Sequence, residues 1–385
     1  MKFLIIVIPF FSALYLGTRI IPFIYKVSYK KRLFDPVNKR KAHQSLTPNL
    51  GGVAFAPIQC CLITFAVVIF HKYNLLNDLH LNTGEILPMF LMLTSGLVIL
   101  FIVGITDDLI GVSYRFKFIA QIFVASLLPV SGLWINDLYG VLFITHVPAW
   151  IGMPLTVLVT VLIINATNLI DGIDGLCSGL IGVSSLILGV LFVYDAAWLH
   201  AIFAFITTGM LIPFFYFNVF GAARKRRIFM GDTGSLTLGF SIAFLAISYS
   251  MNNQDIKPFS EGAIVAAFST LIVPVLDVAR VMWVRYRQGN SVFEADRNHI
   301  HHKFLDLGIS HRRTMIYIIM LALFFSAFNI LSVQLISNNI VLFLDAILWV
   351  VFHYSFSHYE SRHKALVKLN QNSSVNSSYS KFDNE

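Results

Sequence analysis

The chain has 385 residues, of which 57% are hydrophobic and only 12% charged, with a mean hydropathy of +0.74 and a net charge of +8. Soluble domains carry about twice that charged fraction. The apolar residues also fall in runs of about 18 or more, which excludes a water-soluble globular fold and indicates an integral membrane protein.

In chain order, Lys2 precedes an apolar run near Phe3–Tyr25 that holds Pro9 and Pro22 and no small-residue cleavage site, so it reads as a retained first span. Further candidates lie near Gly52–Phe70, Ile86–Thr106, Phe116–Leu133, Ala149–Thr167, Ser178–Tyr194 and Trp198–Phe217. The last four lie near Ser235–Ser250, Gly262–Trp283, Met315–Leu335 and Ile340–Phe356. Several contain Pro or Gly, which membrane helices tolerate. The expected fold is all-α, a polytopic helical bundle of about 11 transmembrane helices over residues 1–357. An Asn-, Ser- and Lys-rich tail at 358–385 is expected to be disordered and cytoplasmic. Cys60, Cys61 and Cys177 show no spaced pairing, so they suggest neither a disulfide framework nor a zinc site.

Charge in the loops sets the orientation. On alternate connections, 24 of the 28 Lys and Arg residues fall on one side. Lys2, Lys72 and Lys257 fall on the other, and Arg19 lies within the first span. The basic side is expected to be cytoplasmic, with the N-terminus outside and the C-terminus inside. The surplus charge, which in a soluble protein would suggest nucleic acid, therefore points to the membrane surface instead.

Four segments on that inner side hold more polar groups than a loop needs. GITDDLIGVSYRFK places Asp107 and Asp108 at the mouth of an apolar helix, with Lys117 opening the next. Acids beside hydrocarbon are costly and mark functional sites, although solvated helix-end charges are the plain alternative. In NATNLIDGIDGLCSG, Asn165, Asn168, Asp171 and Asp174 recur every three residues, a spacing that stacks side chains along one face of a helical turn. Asn and Asp beside Gly also simply make turns.

In FMGDTGSLTLGF, Asp232 sits among small residues where an apolar helix begins, a setting suited to a metal held beside a phosphate. Capping that helix is its ordinary role. In EADRNHIHHKF, Asp296, His299, His301 and His302 stand next to Arg297 and Lys303, which reads better as an anion-binding arm than as a zinc site. A solvated His-rich loop is the alternative. Carboxylates for Mg2+, with cations and imidazoles for the remaining negative charge, favour phosphoryl chemistry at the cytoplasmic membrane surface.

These motifs, with KAHQSLTPNLGG from Lys41, occur in the order found in the polyprenyl-phosphate N-acetylhexosamine-1-phosphate transferases, and the chain resembles that family. The form of the histidine box resembles the WecA type, whereas MraY-type proteins show three consecutive histidines. GITDD departs slightly from the family pattern, because Thr106 stands where an aliphatic residue is usual.

The resemblance implies that undecaprenyl phosphate and UDP-GlcNAc give undecaprenyl-diphosphate-GlcNAc and UMP. It implies a requirement for Mg2+, with Mn2+ able to stand in, at the inner membrane of a bacterium, and a homodimer is compatible with it. The product would start a cell-surface polysaccharide of the O antigen or common-antigen type. By motif, Asp232 would be a metal ligand supported by Asn168, and Lys117 would hold the diphosphate. Asp107 and Asp108 would position or deprotonate the lipid phosphate, with Asp171 and Asp174 on the nucleotide side. Asp296, His299, His301 and His302, with Arg285, would bind sugar and phosphate, while Lys41 and His43 lie in a matching motif without a definite role.

Other UDP-N-acetylhexosamines or UDP-MurNAc-pentapeptide are alternative donors. A phosphate monoester is largely ionised near pH 7, so direct in-line attack is favoured over a covalent enzyme intermediate. A transporter is the rival class, but no internal repeat is visible and the acids lie at helix ends rather than at the midplane.

Overall fold

A computed structural model describes residues 2–34, 47–73, 83–221, 226–289 and 298–382. Among the described residues the regular structure is helical, with two isolated β-bridges, Phe34 to Pro48 and Asp137 to His146. We number the helices α1 (Lys2–Lys30), α2 (Phe55–Lys72), α3 (Thr83–Ile110), α4 (Tyr114–Val130), α5 (Ala149–Ile170), α6 (Leu176–Tyr194) and α7 (Trp198–Phe220). The rest are α8 (Gly231–Ser250), α9 (Ala263–Ser269), α10 (Ile272–Arg287), α11 (Ile300–Asp306), α12 (His311–Ser332) and α13 (Asn338–Phe382).

Nine of these are long and apolar enough to cross a membrane, and α9 with α10, bent by 77° at a short break, makes a tenth if counted as one span. The remaining expected span is α4. Its 17 residues reach about 26 Å, somewhat short of the roughly 30 Å hydrocarbon core. The fold is therefore a polytopic all-α membrane bundle. Its last helix continues through the Asn- and Ser-rich stretch expected to be unstructured, as far as Phe382.

The bundle is built around α8. Every residue from Thr233 to Ser250 is buried, and its mean hydropathy of 1.3 is the lowest of the candidate spans. A helix surrounded by protein need not be oily, and small residues let its neighbours approach. Thr237 and Ser241 donate their hydroxyls to carbonyls one turn back, at 2.7 and 2.8 Å, so these two hydroxyls are satisfied within the helix. Helices α3, α5, α6 and α9 pack directly on it. The C-terminal ends of α3, α5 and α7 thereby meet the N-terminal end of α8, and this junction positions the site.

Candidate functional site

Adjacent residues on a helix point about 100° apart, and at the end of α3 the two acids diverge accordingly. Asp108 turns to the N-terminus of α8, where its carboxylate accepts from Asp232 N at 2.8 Å, Thr233 N at 3.0 Å and Thr233 Oγ1 at 2.6 Å. These backbone groups are donors that a helix start cannot satisfy by itself. Gly231 makes the approach workable: its φ is +73°, and a Cβ there would lie 2.5 Å from Asp108 Oδ2. Asp107 faces the other way. Its Oδ1 accepts from Val112 N at 2.7 Å and its Oδ2 from Lys117 Nζ at 3.0 Å.

Lys117 also donates to Asp232 Oδ2 at 2.8 Å, so one ammonium bridges two carboxylates from different helices. On its other side Asp232 accepts from Asn168 Nδ2 at 3.2 Å, and the same amide donates to Ser235 Oγ at 2.8 Å. The Asp107, Lys117 and Asp232 side chains are 14%, 24% and 29% exposed, so the bridges are wet and contribute at most about 1 kcal/mol each to stability. Their effect is to place charge. Asp107–Lys117–Asp232–Asn168 forms one continuous polar chain.

The three-residue spacing of the second motif is helical only in part. Helix α5 ends at Ile170, Asp171 leaves it at φ −75° and ψ 45°, and Gly175 is left-handed at φ +76°. Asn165 stays on the helix and donates to Gln121 Oε1 at 2.7 Å, while Asn168 reaches α8. Asp171 and Asp174 lie beyond the helix in the turn, both against the cavity. Asp174 pairs with Arg227, whose guanidinium lies 4.9 Å from the Phe229 ring centre. Asn218 of α7 fixes the turn from behind: it accepts from Gly175 N at 2.6 Å and donates to Ile228 O at 2.8 Å. Neither Asn218 nor the Arg227 pairing is read from the sequence, although a lone Asn near the end of an apolar helix is a usable signal.

The histidine box opens α11. His302 lines the cavity, whereas His299 and His301 are buried behind it. The His301 ring presses on Gly172, where a Cβ would collide with its Nε2. Burial, with the neighbouring His302 and His299, pushes the His301 pKa down to about 3, so this imidazole is neutral. His299 is held from α10, through Asp277. Arg285 is buried near the end of α10 and does not line the cavity. Asp296, Arg297, Lys41 and His43 lie outside the described residues.

The cavity encloses about 710 Å³. Its wall brings together Asp107, Asp108, Asn168, Asp171, Asp174, Asp232 and His302, with Phe34, Asn49 and Phe229 at its edges. Lys117 reaches the two carboxylates from the side. Among the described residues no three His, Cys, Asp or Glu side chains converge as a self-sufficient metal site. The local donors are hard oxygens and an amide. That suits Mg2+, which typically takes one or two carboxylates and leaves its other positions to water and substrate phosphate.

Residues 90–250 match the family model described as glycosyl transferase family 4. A probable undecaprenyl-phosphate N-acetylglucosaminyl 1-phosphate transferase of Bacillus subtilis (strain 168) is 31% identical over 323 residues, covering 83% of each chain. Undecaprenyl-phosphate alpha-N-acetylglucosaminyl 1-phosphate transferases of Yersinia pestis and Escherichia coli (strain K12) are 29% and 28% identical. They cover 80% of this chain and 80% and 79% of their own lengths. With its membrane bundle and its acid-lined cavity at the helix ends, the chain belongs to glycosyl transferase family 4.

Proposed function

We propose that the protein transfers N-acetylglucosamine 1-phosphate from UDP-GlcNAc to undecaprenyl phosphate at the cytoplasmic face of the membrane, as the first step of a cell-surface polysaccharide. The observation that carries this reading is the Lys117-bridged pair of Asp107 and Asp232, set with Asn168 at the N-terminus of α8. A site for diphosphate needs fixed positive charge, a helix start and oxygen ligands for a divalent cation, and these groups supply them together. The relatives are named for transfer of N-acetylglucosaminyl 1-phosphate to undecaprenyl phosphate, which supports this reading.

A phosphate oxygen of the lipid attacks the β-phosphorus of the donor. The bond from that phosphorus to the bridging oxygen breaks, and UMP leaves with the electron pair. The lipid phosphate is already ionised near pH 7, so alignment and charge neutralisation carry most of the rate. Lys117, held between Asp107 and Asp232, meets the diphosphate as a compact point cation. Asp107 turns its carboxylate to the lipid phosphate and orients the attack. Asp108 acts through α8, holding Asp232 where it is needed. Asp171 and Asp174 line the nucleotide side, and His302 faces the sugar phosphate. Asp232 and Asn168 would hold Mg2+, whose chemistry when bound would be to neutralise charge on the leaving group.

Purified protein in proteoliposomes with undecaprenyl phosphate and a panel of UDP-sugars tests this. UDP-GlcNAc should give the highest turnover, and chelation should abolish it. Faster turnover with another UDP-HexNAc would reassign the donor, and full activity after chelation would remove the metal from the account.

A further inference from the structure

Helix α10 carries an acid that the reaction above does not use. Asp277 is fully buried, eight residues beyond the end of α9 by number, directly after the apolar run Ile272–Leu276. Its Oδ2 lies 2.9 Å from His299 Nδ1, both oxygens accept from Ile300 N at 3.1 Å, and Arg280 donates to Oδ1 at 2.7 Å. Arg280 also donates to the carbonyl of Asn298, immediately before the box. Burying a carboxylate carries a desolvation cost that an apolar residue would avoid. The carboxylate is spent on one short stretch, Asn298–Ile300.

From there the contacts run towards the cavity. The rings of His299 and His301 are parallel with centres 6.0 Å apart, and those of His301 and His302 are 4.2 Å apart. His301 braces on Gly172 of the α5–α6 turn, and His302 is at the wall. Among the described residues His299 Nε2 and His301 Nδ1 are buried without a hydrogen-bond partner, and the polar anchor at the outer end of the row is Asp277.

We propose that Asp277 is a positioning residue for the histidine box: it fixes the His299 ring and the start of α11, and through the row of neighbouring imidazoles it sets where His302 meets the sugar-nucleotide end of the cavity. This rests on the reading of the cavity as the UDP-sugar site. Asp277 touches no substrate. Its role resembles that of the outer partners that orient ligating or catalytic histidines.

The test uses Asp277→Asn, His299→Gln and the double variant of the full chain in lipid nanodiscs. Asp277→Asn should lower kcat/KM for UDP-GlcNAc by about tenfold or more, as outer-partner changes do, while the KM for undecaprenyl phosphate stays within about twofold. The double variant should be no worse than His299→Gln. Equal losses towards both substrates, or losses that multiply in the double variant, would overturn the proposal. Carbethoxylation with diethyl pyrocarbonate, read by mass spectrometry, decides independently of turnover, with His301 staying protected as the sign that a variant is folded. In the unchanged protein His302 should react while His299 and His301 are protected, and Asp277→Asn should expose His299. His299 reacting as fast as His302 in the unchanged protein would overturn the proposal. Absence of UMP release from every UDP-sugar would instead refute the assigned reaction, leaving the carbethoxylation pattern to decide the role of Asp277.

Discussion

Asp107 and Asp108 should fail differently when each is changed to Asn. Asp108 accepts three hydrogen bonds from the first turn of α8, and a hydrogen bond to a charged acceptor nets about 1.5–3 kcal/mol. Asparagine keeps one acceptor and turns an N–H₂ towards a backbone N–H. With part of the loss recovered by water from the cavity, the net cost is about 3 kcal/mol, a fall of a few degrees in thermal midpoint. Asp232 would move with the helix start, and a misplacement of about 1 Å is enough to lower turnover about 10²-fold. Asp107 takes one backbone N–H and the wet Lys117 bridge, so Asp107→Asn should cost about 1 kcal/mol of stability while still removing most turnover. The assay pairs thermal unfolding in detergent with UMP release for both variants. If Asp108→Asn unfolds no earlier than Asp107→Asn and keeps turnover within about threefold of the unchanged protein, the helix-holding role is wrong.

Gly231→Ala puts a Cβ against the Asp108 carboxylate at a positive φ, and should lose at least about tenfold in turnover as well as stability. Gly132→Ala, at φ +89° with nothing within 4 Å, is the control and should show only the backbone cost of about 1–2 kcal/mol. Acid should destabilise the protein through His301. Its folded pKa of about 3 lies below the unfolded value of about 6.5, so its contribution is complete above about pH 6.5 and is lost as the pH falls from there towards 3. At pH 5 the unfolded chain binds a proton that the folded chain does not, a loss of about 2 kcal/mol. Thermal midpoints measured between pH 5 and 7.5 should fall with acid, and His301→Gln should flatten the slope. Asp232→Asn should remove most turnover; a near-normal rate that still responds to Mg2+ would sink the metal assignment.

The membrane architecture was legible because burial in a bilayer leaves long apolar runs that composition alone reveals. The exceptions have physical reasons. Helix α4 is only 17 residues long, and α9 and α10 are bent by 77° inside what reads as one apolar run. The site was legible as motifs but not as pairings. Spacing put Asn165 on the same face as Asn168, yet the helix stops at Ile170, so Asp171 and Asp174 are placed by a turn with a left-handed Gly175. Two adjacent acids looked equivalent until α8 claimed Asp108. The His box read as an anion-binding arm with His299, His301 and His302 alike, whereas the short α11 turns only His302 to the cavity. Asp277 was visible as a single acid within an apolar span, the same signal that drew attention to Asp107 and Asp108. Its role is not legible there, because two of its partners, His299 and Ile300, are more than twenty residues away in sequence.

The most direct measurement is product formation by the purified protein. With undecaprenyl phosphate, UDP-GlcNAc and Mg2+, it should release one UMP for each undecaprenyl-diphosphate-GlcNAc detected by mass spectrometry, and none when the lipid phosphate is omitted. UMP release that does not depend on the lipid, or lipid product absent under conditions where the protein is folded, would contradict the assigned reaction.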